Sequence, residues 1–209
     1  MTTRHVRAAV FSAGSWGTAV AKILADAGTT VTVHARRAEI ADAINTTRRN
    51  PGYFPDVELP ANLSATTDPA AALAGADFLV LSIPAQSLRT NLAAWAPHIA
   101  PGTVIVSLMK GIEQGSGERA SQVIAEVTGL PKERIAVLSG PNLAREIMAG
   151  QPAAATIACP DEDAARRFQT ACHTPYFRPY TSTDVTGCEL GGAVKNVIAL
   201  AVGIASGMG

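Results

Sequence analysis

No charge of either sign dominates this chain: seventeen basic side chains balance seventeen acidic ones, and the sequence pI is near 6.9. That balance removes the electrostatic case for a general polyanion binder, nucleic acid included, while leaving room for a local anion site. Cysteine is scarce. Cys159, Cys172 and Cys188 are odd in number and too widely spaced for a C-x-x-C metal or redox pair, so reduced, mostly buried thiols are expected. His5, His34, His98 and His173 show no metal-ligand spacing, so no metal site is expected. Neither a G-x-S-x-G nor a P-loop occurs, which weakens hydrolase and kinase readings. The N-terminal run Met1-Thr2-Thr3-Arg4-His5-Val6-Arg7 is basic but lacks the apolar region and cleavage pattern of a secretory signal, so a cytoplasmic protein is expected. The apolar tail Asn196–Gly209 is too short to span a bilayer, and no membrane span is expected.

What the sequence does have begins at Ala9-Val10-Phe11-Ser12-Ala13-Gly14-Ser15-Trp16-Gly17, where a short apolar run passes through small residues into a helical pattern. A dinucleotide-binding βα unit starts this way, because a tight turn must bring backbone N–H groups and a helix N-terminus against a pyrophosphate. Gly14 and Gly17 fit the second and third glycines of G-x-G-x-x-G, whereas Ser12 stands where the first belongs. A plain strand-to-helix connection in an α/β core would look similar.

At 209 residues the length suits one large α/β domain, or one domain with part of a second. The clearest strands are Arg7–Phe11, Val31–Ala35, Asp77–Ile83, Val104–Leu108 and Ile135–Leu138. Helical patterns fall between them at Ser15–Ala27, Ala38–Thr47, Ala85–Trp95 and Glu118–Val127. This alternation predicts parallel strands with right-handed crossovers, hence a doubly wound α/β sheet with its ligand at the carboxyl ends of the strands. Short strands at Ala153–Ala158 and Tyr176–Pro179 flank a helix at Asp161–Cys172. From Asp184 to Gly209 a small-residue helix pattern follows, apolar on nearly all faces, as in a helix buried among other helices. The expected division is a dinucleotide-binding domain over 1–182 and the first helix of an incomplete, all-helical substrate domain over 183–209. The apolar stretch after Lys195 is expected to expose a patch that promotes self-association.

Several residues at the strand ends suit chemistry. Arg36 and Arg37 follow the second strand, where an acidic residue would favour NAD; paired arginines offer charge-assisted bonds to a 2′-phosphate, so NADP is accepted. A solvated basic helix start is the plainer account. The loop Asn50-Pro51-Gly52-Tyr53-Phe54-Pro55 carries two aromatics that suit covering a cofactor or packing over the sheet edge. Lys110 follows the apolar strand ending at Leu108, and Lys195 lies inside an apolar helix, where a lysine is costly unless paired or functional. Ser139-Gly140-Pro141-Asn142 places a proline at the first turn of a new helix, which suits an anion or hydroxyl contact and equally a simple cap.

Taken in order, Ala13–Ala19, Ala35–Arg37, Asn50–Pro55, Ile83–Gln86, Lys110–Glu113, Ser139–Asn142 and Gly192–Val197 give the chain a resemblance to the bacterial-type NAD(P)-dependent glycerol-3-phosphate dehydrogenases. Each segment is weak alone; in register over essentially the whole length they are specific. The resemblance implies a Rossmann-like domain and reversible reduction of dihydroxyacetone phosphate to sn-glycerol 3-phosphate, feeding phospholipid synthesis. It implies NADP or NAD at Ser15, Trp16, Arg36, Arg37, Tyr53, Lys110 and Ala144, substrate at Lys110, Gly140, Asn142 and Lys195, and Lys195 as the proton donor and acceptor. It also implies a further helical domain of about a hundred residues or more, of ordinary domain size. Two departures accompany the match: Ser12, just before the first segment, replaces a glycine, and Asn142 stands where the family usually has serine. Two alternatives accompany this reading, a cofactor-binding half without turnover and another Rossmann dehydrogenase acting on a hydroxy acid or sugar nucleotide. The Lys110 and Lys195 motifs disfavour the latter.

Overall fold

The computed structural model describes residues 5–209, so Met1 to Arg4 of the basic N-terminal run lie outside the described residues. The elements, in chain order, are β1 (Arg7–Phe11), α1 (Ser15–Asp26), β2 (Thr30–His34), α2 (Ala38–Thr47), β3 (Leu63–Thr66), α3 (Pro69–Leu73), β4 (Phe78–Leu81), α4 (Leu88–Trp95), β5 (Val104–Ser107), α5 (Ala120–Thr128), β6 (Ile135–Ser139), α6 (Ala144–Met148), β7 (Ala153–Ala158), α7 (Glu162–Cys172), β8 (Phe177–Ser182) and α8 (Val185–Gly207).

Every residue of β4 and β5 is buried, as is all of β1 after Arg7. Apolar runs of this kind form strands covered on both faces. Alternation along them sends Val10, Val80 and Val106 into one core, with Ile23 of α1, Ile40 of α2 and Phe168 of α7. The intervening Ala9, Leu79 and Ile105 enter the other, with Leu73 of α3, Leu92 of α4 and Val123 of α5. Strand order is β3-β2-β1-β4-β5-β6-β7-β8, so the chain reverses its direction across the sheet between β1 and β4, and a crevice opens at their carboxyl ends.

The parallel pairing expected from the alternation is found from β3 through β6; beyond it, where the sequence pattern was less regular, β7 runs antiparallel to β6, with β8 parallel to β7. The cause is the connection. The five-residue α6 rises about 7–8 Å, less than half the ~16 Å of a five-residue strand, so it cannot return the chain to the far edge. Pro141 precedes α6, whose N-cap is Leu143, and does not occupy a first helical turn as the sequence had implied.

Helix α8 also corrects an expectation. It runs unbroken for 23 residues, so by length and composition it could cross a membrane, and the shortness of the apolar tail is no argument against that. What sets it apart from a membrane span is Glu189, buried in an ion pair with Arg119, and Lys195 near its middle. It packs on β6 and β7 through its first half, while Val197, Ile198, Leu200, Val202 and Ile204 are exposed.

Candidate functional site

The β1–α1 turn is built by a close approach. A Cβ added at Gly17 would lie 2.1 Å from the Ser12 carbonyl oxygen, so only glycine lets the first turn of α1 sit against the strand end. Ser12 holds φ of +133°, a conformation glycine enters freely and serine enters at a cost, and its Oγ accepts the Gly14 N–H at 3.1 Å. Gly14 is the N-cap of α1 and supplies no side-chain cap, so N–H groups of the first helical turn have no helical acceptor and point outward at the positive end of the helix dipole. Those are the features an anion requires.

Beside this turn lies a cavity of about 310 Å³ bounded by Ser12, Gly14, His34, Arg36, Arg37 and Tyr53. Arg36 and Arg37 are exposed, with Arg37 paired at 3.5 Å to Glu39. The aromatic pair of the 50–55 loop divides: Tyr53 is 50% exposed at the cavity, whereas Phe54 is buried in the core. Asn50 holds that loop in place. It is fully buried, donates to the Ala13 carbonyl at 2.9 Å and Thr18 Oγ1 at 2.8 Å, and accepts the Gly52 N–H. Sequence reasoning credited the loop's prolines and aromatics and missed the asparagine that binds it to the glycine turn.

A second cleft, of about 380 Å³, lies at the end of β6 against α8 and includes Lys110, Gly140, Cys188 and Lys195. Gly192 permits it: a Cβ there would sit 3.0 Å from Ser139 Oγ and 3.4 Å from Lys110 Cγ. Gly140 is similarly constrained, with 2.9 Å from an added Cβ to the Ala154 carbonyl. The Lys110 ammonium donates to the Gly140 carbonyl at 2.8 Å. By area Lys110 is exposed, yet desolvation of its ammonium first, and the Lys195 charge next, hold its pKa below the ordinary lysine value, against a smaller opposing effect of Cys188. Burial pushes the Cys188 thiol up.

The residues singled out from the sequence therefore fall into two groups, Arg36, Arg37 and Tyr53 at the first cavity and Lys110, Gly140 and Lys195 at the second. Ser15 and Trp16 open α1 beside the first cavity, Trp16 and Ala144 pack half-buried on the large core, and none of these line either cavity. Asn142 lines neither; both polar atoms of its side chain are shielded from solvent without a hydrogen-bond partner. His34, Asn50 and Glu189 carry site geometry that the sequence reading did not assign. A lone acidic residue in an apolar helix was the available signal for Glu189, by the same reasoning that marked Lys195.

Residues 7–165 match the family of the NAD-dependent glycerol-3-phosphate dehydrogenase N-terminus, and residues 184–209 match that of its C-terminus. The chain is 66% identical over 207 residues to a glycerol-3-phosphate dehydrogenase [NAD(P)+] of Streptomyces coelicolor, covering 99% of this chain and 62% of that one. It is 64% identical over 208 residues to the protein of the same name from Nocardia farcinica, covering 97% of this chain and 62% of the relative. It therefore spans about three fifths of the length of the curated relatives it matches. Among solved structures, glycerol-3-phosphate dehydrogenase from Coxiella burnetii superposes with a TM-score of 0.87 at 32% identity, covering 97% of this chain and 62% of that one. A UDP-glucose dehydrogenase of Pyrobaculum islandicum, at 15% identity and a TM-score of 0.67 over 94% of this chain and 50% of that one, shares the fold alone.

Proposed function

We propose that this chain, which belongs to the NAD-dependent glycerol-3-phosphate dehydrogenase family, binds NADP or NAD and interconverts dihydroxyacetone phosphate and sn-glycerol 3-phosphate, as a soluble cytoplasmic protein supplying glycerophospholipid synthesis. In this reading, residues 1–182 hold the cofactor and 183–209 begin the substrate domain. The observation that carries it is the convergence of Lys110 and Lys195, from separate elements, on one cleft at the carboxyl edge of a sheet whose β1–α1 turn leaves the first helical turn uncapped.

The uncapped first turn of α1, kept clear by Gly14 and Gly17, fits a pyrophosphate, with Ser15 and Trp16 supplying N–H groups. Arg36 and Arg37 answer a ribose 2′-phosphate and Tyr53 covers the same cavity, while Ala144, packed on the core outside that cavity, is assigned to the cofactor by the family resemblance alone. A nicotinamide cofactor held by these residues would supply or accept the hydride. Lys110 and Lys195 bring two amines to the second cleft, which suits a phosphorylated substrate, and the family resemblance also assigns Lys110 to the cofactor. Gly140 lines the same cleft and lets its segment pack closely on β7, and the shielded Asn142 amide, which has no partner of its own, would have to turn toward the cleft to meet the substrate. Lys195 places an ammonium at the carbonyl oxygen, stabilises the forming alkoxide and delivers its proton; in the reverse direction it takes that proton back. Self-association through the exposed part of α8 belongs to the same proposal.

The test follows nicotinamide absorbance after dihydroxyacetone phosphate is added to NADPH and the protein. Oxidation that depends on the substrate and falls by about 10²-fold or more in Lys195→Ala is expected. Oxidation of equal rate in the variant would remove Lys195 from its role. Cofactor binding without oxidation would favour the half-enzyme reading for a chain that spans 62% of its relatives' length.

A further inference from the structure

The two lysine-bearing elements meet at a point outside their shared cleft. Lys110 lies in the segment 108–119, between β5 and α5, which is fixed to the body of the domain from several directions. Gln86 donates to the Ile112 carbonyl and accepts the Gln114 N–H, each at 2.8 Å. Arg89 of α4 grips Glu113 with two nitrogens and also reaches Glu118. Helix α8 is held far more sparsely: of its 23 residues only Glu189 is buried.

That carboxylate is fully engaged. Its Oε1 accepts the Ser121 N–H at 2.8 Å, and its Oε2 accepts the Arg119 guanidinium at 2.5 Å and the Ser121 hydroxyl at 2.6 Å. Ser121 stands in the first turn of α5, whose amides have no acceptor within their own helix, so Glu189 caps α5 from a neighbouring helix. A carboxylate this deeply buried is costly unless every oxygen is paired, and simple packing would be served by an apolar side chain. Helical spacing shows what the contact sets. Cys188 and Lys195 are two turns apart on one face and both line the cleft, while Glu189 lies about 100° further round, toward Arg119.

We propose that Glu189 is a positioning residue: by binding Arg119 and Ser121 it fixes the height and rotation of α8 against the segment 108–119, so that Lys195 and Lys110 face one cleft. The latch holds two like charges together, and Asp184 and Cys188 are the other titratable groups lining that cleft. Its value for catalysis rests on the dehydrogenase reading; the latch itself does not.

The experiment reads the lysines without turnover. The chain has four lysines, so reductive methylation with a ¹³C label gives a simple spectrum, and loss of a signal in Lys110→Arg assigns Lys110. Its titration is followed in the wild type, Glu189→Gln, Arg119→Gln and the double variant. Loosening the latch re-solvates Lys110 and moves it from Lys195, so it should titrate at higher pH in each single variant, and the double variant should add little. A titration unmoved in variants with unchanged circular dichroism overturns the proposal, since a contact that only stabilises would lower the melting point and leave Lys110 alone. Should the Glu189 and Arg119 variants fail to fold, Ser121→Ala, which deletes one donor, should give a smaller upward shift, and no shift there overturns it equally. Turnover measured on the same unlabelled samples separates the two readings: a shifted Lys110 in a protein without dehydrogenase activity supports the latch and counts against the dehydrogenase.

Discussion

Ser12 shows how one side chain can work against its own site. Its φ of +133° is imposed by the approach of α1 to the strand end, and its hydroxyl recovers part of the cost by accepting the Gly14 N–H. Ser12→Gly should raise stability by about 1–2 kcal/mol, read as a higher urea midpoint, and should tighten NADPH binding because the Gly14 amide is freed for the cofactor. An unchanged midpoint would mean that the hydroxyl contact offsets the strain completely. His34 is a second case. Its ring is buried, stacks on Phe11 with centroids 4.7 Å apart, and places Nε2 3.2 Å from the Thr67 carbonyl. Burial holds its pKa below 6.5. As pH falls below about 6.5 the unfolded chain takes up a proton that the folded chain resists, so stability is lost on acidification until the folded imidazole also protonates. Urea midpoints at pH 7.5 and 5.5 should fall less in His34→Asn than in the wild type; equal slopes would exclude His34 as their source.

Elements whose cause is local were legible, and those whose cause is a contact were not. β1 and α1 announce themselves because an apolar run, a small-residue turn and a helical period lie side by side in sequence. β3 and α3, of four and five residues, carry too little pattern to separate from the loop around them. β7 was recognised as a strand, but its direction depends on the length of α6. At the site, glycines and lysines were visible because each is costly or permissive wherever it stands, whereas Asn50 and Glu189 act through partners distant in sequence. Helix α8 combines both kinds: its small-residue composition was plain, while the anchoring of its first half and the exposure of its second emerge only with the fold.

At the scale of the whole molecule, the sheet's change of direction puts the glycine turn and the two-lysine cleft along one edge, the arrangement that the proposed dehydrogenase reading requires. The exposed row from Val197 to Ile204 on α8 leaves apolar surface facing water. Sedimentation of the 209-residue chain should show an average mass that rises with concentration, and an Ile198→Lys, Val202→Lys variant should reduce the rise; a concentration-independent monomer would count against self-association. The most direct test of the central claim is titration of the chain with NADPH and NADH, read by nicotinamide fluorescence. Saturable binding of both is expected, with Arg36→Glu and Arg37→Glu weakening NADPH by about 10-fold or more and NADH far less. Absence of binding by either cofactor, in the wild type and in Ser12→Gly alike, would contradict a dinucleotide site at this turn.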